Sequence, residues 1–362
     1  MPKAIRLFFR LLSAFIALGI VIIATAVGVT VFFNSPPGHP PLITFGLSDN
    51  PSHDGLRVDE NGALIIEVRG GETAASVGRR LQSAGIIRNQ YFWNLLARLG
   101  NEHIRVGTYR IEIPSSQLQI RSVLTSGEQI LVRVTIPEGL TLRRTAMILE
   151  EAGICSARDF MAAAASREIL DAFNIPGNSM EGYLFPDTYL FPLSYPAHRV
   201  VTAMAENFFR RIALIAPESL NISPAELNER VIMASIVERE FRLREEAALM
   251  AGVFFNRLRI GMALQSCATV VYVLTEELGR PHPERLFFRD LEVQSPFNTY
   301  LHRGLPPAPI ASPGETALRA AFNPTQTNYL FFRLIDPSDG RHFFSRTLDE
   351  HNRAGALFVS RR

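Results

Sequence analysis

The chain has 362 residues, of which 37 are Lys or Arg and 35 are Asp or Glu. Three of the basic residues, Lys3, Arg6 and Arg10, precede a long apolar run, and the remainder is close to neutral. The sequence has no basic cluster, so we expect neither nucleic acid nor an anionic membrane surface as a partner. The roughly 330 residues after the apolar run suit two or three domains.

The apolar run, 11–33, contains no charged side chain. About 20 apolar residues cross a bilayer as a helix, and positive charge before such a span stays in the cytoplasm. The pattern predicts a cytoplasmic N-terminus (1–10), a single-pass transmembrane anchor (11–33) and an exported remainder. A cleaved signal peptide is the alternative, because Ala24 to Ala26 resembles a cleavage site. The apolar run continues beyond that site, which favours the anchor.

The segment 34–62 is rich in Pro and Gly and is predicted to be an extended linker. Residues 63–113 follow with the periodicities of a strand, two helices and a second strand. This βααβ order resembles a LysM module, and LysM modules bind polymers that contain N-acetylglucosamine. A connecting α/β segment is predicted for 114–179, and the main domain for 180–362. The expected fold class is therefore α+β.

A weak internal repeat joins 68–86 to 136–154. Both copies carry a strand, a Gly-rich turn, a Thr near a helix start and an Ala-Gly at the helix end. Duplication would explain the match. So would the shared local requirements of any two β-turn-α units, and the sequence leaves both explanations open.

A buried helix is predicted from Ser223 to about Phe241. Ser223 supplies a cap, Pro224 the first helical position, and 231–237 is almost wholly apolar. Glu240 follows Met233 by seven residues, about two turns, and so falls on the apolar face, whereas Glu238 falls almost opposite. Burial raises the pKa of a carboxyl, as proton donation near neutral pH requires. A partly buried Glu paired with an Arg is the structural alternative.

Several runs in the second half resemble the YceG/MltG family of membrane-anchored endolytic murein transglycosylases. They are EGYLFPDTY (181–189), ASIVERE (234–240), FFNRLRIGMALQS (254–266), ATVVY (268–272), FNTY (297–300), GLPPAPIASPG (304–314) and HNRAG (351–355). The resemblance implies cleavage of the MurNAc–GlcNAc bond of nascent peptidoglycan strands without water, which leaves 1,6-anhydro-MurNAc ends. It also implies a role near the peptidoglycan synthases, which are possible partners beside the glycan and the membrane.

The family's catalytic glutamate, the second in its SIVEKE-like motif, matches Glu240. One carboxyl would act first as acid and then as base, since the nucleophile is the sugar's own C6 hydroxyl. Two positions depart from the family pattern. Phe241 stands where the family has a small residue, and Cys267 stands where it has Asp, which puts a second carboxylate in doubt.

Polar residues of the second half are candidates for binding the sugar hydroxyl and N-acetyl groups, although each has an alternative as a hydrogen-bonding loop or cap residue. These candidates are Asn256, Gln265, Ser266, Thr269, Asn298, Thr299 and Tyr300.

The motifs of other chemistries are missing from the sequence: it has no zinc spacing, phosphate loop, dinucleotide fingerprint or GxSxG elbow. We therefore expect no cofactor and no metal. A catalytically inactive, membrane-tethered peptidoglycan-binding scaffold is the competing hypothesis, and a hydrolase is the third. Whether Cys155 and Cys267 form a disulfide stays open.

Overall fold

The computed structural model describes residues 3–38, 55–100, 103–336 and 338–359. Most of the chain falls into two compact units. The first comprises Met1–Leu131 with Pro192–Ser194, and the second comprises Val132–Phe191 with Tyr195–Arg362. The segment 114–179, predicted to be a connection, is thus divided between the units.

The chain begins with helix α1 (Lys3–Asn34). Within it, Arg10–Asn34 has a mean hydropathy of 2.6, and none of that stretch is buried in the protein. It is the one helix in the described part of the chain that is long and apolar enough to cross a membrane. This finding agrees with the predicted anchor at 11–33.

The first unit then forms a three-stranded antiparallel sheet with helices. Its elements are β1 (Leu56–Val58), β2 (Leu64–Val68), α2 (Ala74–Ser83), α3 (Gln90–Leu99), β3 (Gly107–Ile111) and α4 (Gln117–Ser126). The sheet order is β1-β2-β3. The predicted strand-helix-helix-strand order is confirmed, while the LysM identity stays a prediction. The end of the predicted linker is corrected: β1 lies inside 34–62, and 39–54 lies outside the described residues.

Trp93 joins α2 to α3 in this unit. A Cβ at Gly78 would lie 2.4 Å from Cδ1 of Trp93, so only glycine lets the helices approach this closely. The indole N–H donates to the carbonyl of Ala74 at 2.7 Å, which satisfies the polar atom of a buried ring.

The second unit starts with two strands and four helices. They are β4 (Leu131–Thr135), α5 (Leu142–Glu151), α6 (Ala157–Ala164), α7 (Arg167–Ala172), β5 (Thr188–Pro192) and α8 (Ala197–Ile215). Strands β4 and β5 pair. The remaining elements are α9 (Pro224–Glu238), α10 (Ala247–Arg259), α11 (Cys267–Tyr272), α12 (Glu315–Phe322), β6 (Phe331–Asp336), β7 (Arg341–Ser345) and α13 (Leu348–Val359).

Helix α9 runs through the core of this unit and packs against α10 and α12. Its start is as predicted, because the Ser223 side chain accepts the backbone N–H of Glu226 and Pro224 is the first helical residue. Residues 231–237 are all buried. Its end is not as predicted: the helix stops at Glu238, and Arg239 and Glu240 form a turn. The prediction that Glu240 lies within a buried helix is therefore corrected: Glu240 lies in the turn that follows the last helical residue.

The two copies of the internal repeat have the same local structure. Thr73 and Thr141 each cap a helix with their side chains, and both copies have glycines with positive φ before and after the helix. Shared geometry is expected under duplication and under independent β-turn-α capping, so the origin of the repeat stays open.

Candidate active site

Glu240 lies in the turn that ends α9, where its N–H donates to the carbonyl of Val237 at 3.0 Å. Its carboxyl is half-buried and contacts the start of α11. The Ser266 hydroxyl donates to Oε1 at 2.5 Å, and the backbone N–H of Ala268 donates to the same carboxyl. The turn thus delivers a carboxyl to hydrogen-bond donors 26 or more positions further along the chain.

Burial raises the pKa of Glu240. The hydrogen bonds from Ser266 and Ala268 oppose this rise, and so do the charges of His342 and Arg257, because all of them favour the carboxylate. The upward direction was predicted from the apolar neighbours on α9. The opposing donors come from segments whose proximity only the tertiary structure shows.

Glu240 opens onto a cleft of about 660 Å³. The cleft lies between the end of α9, α10, the 264–267 segment and the β6–β7 hairpin. Its lining residues are Arg239, Glu240, Arg242, Phe254, Arg257, Leu264, Gln265, Ser266, Cys267, Tyr300, Phe331, Phe332, Arg333, Leu334, His342, Leu348 and His351. Of the predicted binding residues, Gln265, Ser266 and Tyr300 line this cleft.

Gln265 and Ser266 are held by a polar segment that itself is buried. Gln265 has φ of +50°, and its N–H donates to the carbonyl of Thr299 at 3.1 Å. The N–H of Ser266 donates to Oγ1 of Thr299 at 3.0 Å, and Thr269 is 2.9 Å from the same oxygen. Thr269 and Thr299 are both buried, so they shape the turn and do not line the cleft.

Asn298 is fully buried and holds its own loop together. Its amide donates to the carbonyls of Leu291 and Val293 at 2.9 and 2.8 Å, and its oxygen accepts the N–H of Tyr300. Asn298 therefore positions Tyr300, whose hydroxyl lies 3.1 Å from Sγ of Cys267 at the cleft.

Asn256 points away from the cleft. Its amide donates to the carbonyls of Thr327 and Tyr329, and Gly252, one turn earlier on α10, lets the 325–330 segment approach. A Cβ at Gly252 would lie 2.2 Å from the carbonyl oxygen of Thr325. Of the seven predicted sugar-binding residues, Asn256, Thr269, Asn298 and Thr299 thus bind protein backbone or one another in this structure.

Glu238 is half-buried as well, although the helical pattern placed it opposite Glu240. Its Oε2 accepts the N–H of Gly314 at 2.9 Å, and burial raises its pKa to about 7. Ser235, on the same helix, accepts the N–H of Ile310. Glu238 and Ser235 together hold the 304–314 segment against α9, which gives Glu238 a structural role.

Several polar residues that line the cleft were missed by sequence reasoning. Arg257 lies on α10 and donates to the carbonyls of Leu330 and Leu264. His342 on β7 is buried, with Nδ1 2.7 Å from Glu246. Arg242 and Arg333 complete the set. The run FNRLR placed Arg257 next to the candidate Asn256, but nothing in the sequence indicated that Arg257 itself lines the cleft.

Both cysteines are free thiols. Cys155 is half-buried in the core region, and Cys267 is exposed at the cleft. Cys155 and Cys267 therefore do not form the disulfide that the sequence left open.

Known proteins share this architecture. The YceG-like family matches residues 66–356. An endolytic murein transglycosylase of Bacillus subtilis is 27% identical over 321 residues, covering 83% of this chain and 86% of the relative. Another, of Streptococcus pneumoniae, is 26% identical over 341 residues, and the match spans 84% of this chain but 60% of that relative.

A crystal structure of a YceG-like protein from Listeria monocytogenes superposes with a TM-score of 0.55 at 28% identity. The match covers 80% of this chain and 98% of the Listeria chain. Because the family match takes in most of the sequence, including the turn that carries Glu240 and the whole cleft, this protein belongs to the YceG-like family.

Proposed function

We propose that this protein is an endolytic peptidoglycan lytic transglycosylase in which Glu240 is the only acid–base group. The observation that carries the proposal is the half-buried carboxyl of Glu240, with a raised pKa, at the wall of an open cleft. A raised pKa favours the protonated form of the carboxyl, which can transfer its proton to a bound sugar chain. The names of the Bacillus and Streptococcus relatives support the reaction.

In the first step, Glu240 gives its proton to the oxygen that joins MurNAc to GlcNAc, and the C1–O bond breaks. Ser266 donates to Oε1 and so fixes the orientation of the carboxyl. The GlcNAc hydroxyl leaves, and positive charge develops at C1 of MurNAc beside the new carboxylate, which stabilises it.

In the second step, the Glu240 carboxylate takes the proton of the MurNAc C6 hydroxyl while that oxygen bonds to C1. The product is a 1,6-anhydro-MurNAc end, and Glu240 is protonated again. Because the nucleophile belongs to the substrate, proximity replaces an activated water, and a single carboxyl suffices. The thiol at Cys267 gives the cleft no second carboxylate at that position.

Mass spectrometry of glycan strands incubated with the purified protein tests this proposal. Anhydro-ended fragments are the expected product. Reducible MurNAc ends would show a hydrolase instead. Strands that are retained without new ends would show the catalytically inactive scaffold.

We also propose that α1 anchors the enzyme in the inner membrane, with the catalytic unit on the periplasmic side near the synthases, and that the βααβ module binds glycan. The exposed apolar surface of Arg10–Asn34 supports the anchor. The mature protein should keep residues Met1 to Phe33 and should remain in the membrane pellet after a carbonate wash. A mature N-terminus near Val27 would instead show a cleaved signal peptide.

A further inference from the structure

Four arginines surround Glu240 in the cleft: Arg239, Arg242, Arg257 and Arg333, called here the arginine cluster. They come from the turn after α9, from α10 and from β6. Among the described residues that line the cleft, Glu240 is the only Asp or Glu. Since the exported chain as a whole is close to neutral, this excess of positive charge is a local property of the cleft.

Arg257 is the most buried member, with 7% of its surface exposed. Its Nε and Nη1 donate to the carbonyls of Leu330 and Leu264 at 2.6 and 2.5 Å. A buried guanidinium whose partners are neutral carbonyls retains most of its positive potential, and burial lowers the pKa of Arg257.

The other three members are more accessible. Arg239 and Arg242 are exposed, and Arg333 is half-buried with Nη1 3.2 Å from the carbonyl of His351. None of the four forms an ion pair with a carboxylate in the described part of the chain. Nη1 of Arg239 donates to the carbonyl of Gly139 at 3.0 Å, so the positive charges of the cluster face neutral backbone carbonyls and are not neutralised by a carboxylate.

The proposed reaction develops positive charge on the sugar, and nearby cations oppose that charge. A cleft that served only neutral hydroxyl and acetamido groups would gain nothing from four arginines. Arginine forks match carboxylates in bidentate geometry. On peptidoglycan, free carboxylates belong to the short peptides attached to the lactyl group of MurNAc, or to the lactyl group itself once the peptide is removed.

We propose that the arginine cluster binds the carboxylates of the peptide carried by MurNAc, so that the enzyme prefers strands with their peptides attached. This inference rests on the proposed function. It adds that part of the substrate is anionic and is read beside the reacting bond. The bound carboxylates neutralise the arginines, and this offsets the cost of having cations near the positive charge that develops on the sugar.

The test compares strands with native peptides with the same strands after their peptide carboxylates are converted to amides. The amide strands keep the size of the substrate and lose its charge. For the full-length protein we expect KM to be about 3- to 10-fold lower on native strands, with kcat within about 2-fold, as accessible ion pairs of modest strength predict. The difference should shrink as salt is added.

The variant Arg242→Gln/Arg333→Gln should raise KM on native strands towards the value for amide strands and leave KM on amide strands unchanged. Arg158→Gln, an exposed arginine of α6 outside the cleft, is the matched control and should change neither. Because Arg257→Gln also removes two hydrogen bonds to backbone carbonyls, the conservative variant Arg257→Lys and a melting curve of each variant are measured beside it. Strands without peptides separate the lactyl carboxylate from those of the peptide.

Equal KM for native and amide strands would overturn the proposal. So would a variant that raises KM equally on both, because its arginines would then contact sugar. If the wild-type protein cleaves neither substrate, the proposed function fails. The arginine proposal is then decided by equilibrium binding of Glu240→Gln protein, which should favour native strands by a similar factor.

Discussion

Glu240, the proposed catalytic carboxyl, and Glu181, a structural one, differ in their access to the cleft. Burial raises the pKa of both, that of Glu181 to about 8. Glu181 is 5% exposed, and both of its carboxyl oxygens accept the N–H of Leu142, the first residue of α5. Glu240 accepts from Ser266 and opens onto the cleft. A raised pKa marks both residues, whereas access to substrate marks only Glu240.

The amides repeat this contrast. Asn298 is fully buried and bonds the backbone of its own loop, while Gln265 is exposed at the cleft. Substitutions at the residues that bind backbone should therefore change stability, and substitutions at those that face the cleft should change turnover.

The largest effect is expected for Glu240→Gln, which keeps the size of the side chain but cannot exchange a proton. Turnover should fall by at least ~10²-fold, the low end of the general acid–base contribution. Stability should be equal or higher, because a buried carboxyl is removed. Anhydro-product formation and a melting curve measure the two effects.

Glu238→Gln is the matched control for that substitution. Its amide oxygen can still accept the N–H of Gly314, so turnover should change little. Reversed effects of the two substitutions would assign the acid–base role to Glu238. If both variants turned over like the wild type, the proposed mechanism would be lost.

Glu181→Gln should change how stability depends on pH. The pKa of Glu181 rises on folding from 4.5 to about 8, so in this window the folded state holds a proton that the unfolded chain releases. The stabilisation is therefore complete below about pH 4.5 and is lost as the pH rises through 8, on the order of 1 kcal/mol per pH unit.

Denaturant unfolding at pH 5, 6.5 and 8 measures this slope in both proteins. The Gln variant, neutral throughout, should lose less stability than the wild type as the pH rises, with turnover within about 2-fold. A variant whose stability falls with pH as steeply as that of the wild type would show that Glu181 is ionised in the folded protein.

Asn298→Ala should lower the free energy of unfolding by about 1–3 kcal/mol, because the carbonyls of Leu291 and Val293 lose their buried donor. Activity should fall with it, since Tyr300 loses its support.

Gln265→Ala, at an exposed position, should lower turnover, while the free energy of unfolding changes by less than about 0.5 kcal/mol. Wild-type turnover in the Gln265 variant would make that residue structural as well.

A smaller loss of turnover than that of Glu240→Gln is expected for Ser266→Ala. Without the hydroxyl that favours the carboxylate, the pKa of Glu240 should rise further. The alkaline limb of the pH–rate profile should move to higher pH, with turnover about 3- to 10-fold lower because a carboxyl of higher pKa is a weaker acid. A shift of that limb to lower pH would contradict the hydrogen bond from Ser266 to Glu240.

Local sequence signals predicted much of the fold. The Ser223-Pro224 start of α9 is confirmed, because a helix cap acts within a few residues. The βααβ order was predicted for the same reason. The strand at 56–58 was missed because three residues carry too little periodicity, and only pairing with β2 stabilises it.

The candidate site was predicted less completely. Glu240 was selected by assuming a helix that continues to Phe241, yet the helix ends at Glu238. The residue still reaches the cleft because the turn returns its side chain towards Ser266. Polar loop residues were pooled as sugar binders because a sequence does not show which amides a neighbouring backbone will occupy.

The sequence by itself determined the apolar helix at the N-terminus, the start of α9, the βααβ order, the family motifs and the candidacy of Glu240. Each of these depends on neighbours within one or two turns, or on a motif read directly. Only the tertiary structure decided which polar groups face the cleft and that four arginines gather there. Those arginines lie on segments up to 94 positions apart, from Arg239 to Arg333. No local pattern records such a meeting, because it is set by the packing of α9, α10 and the β6–β7 hairpin around one core.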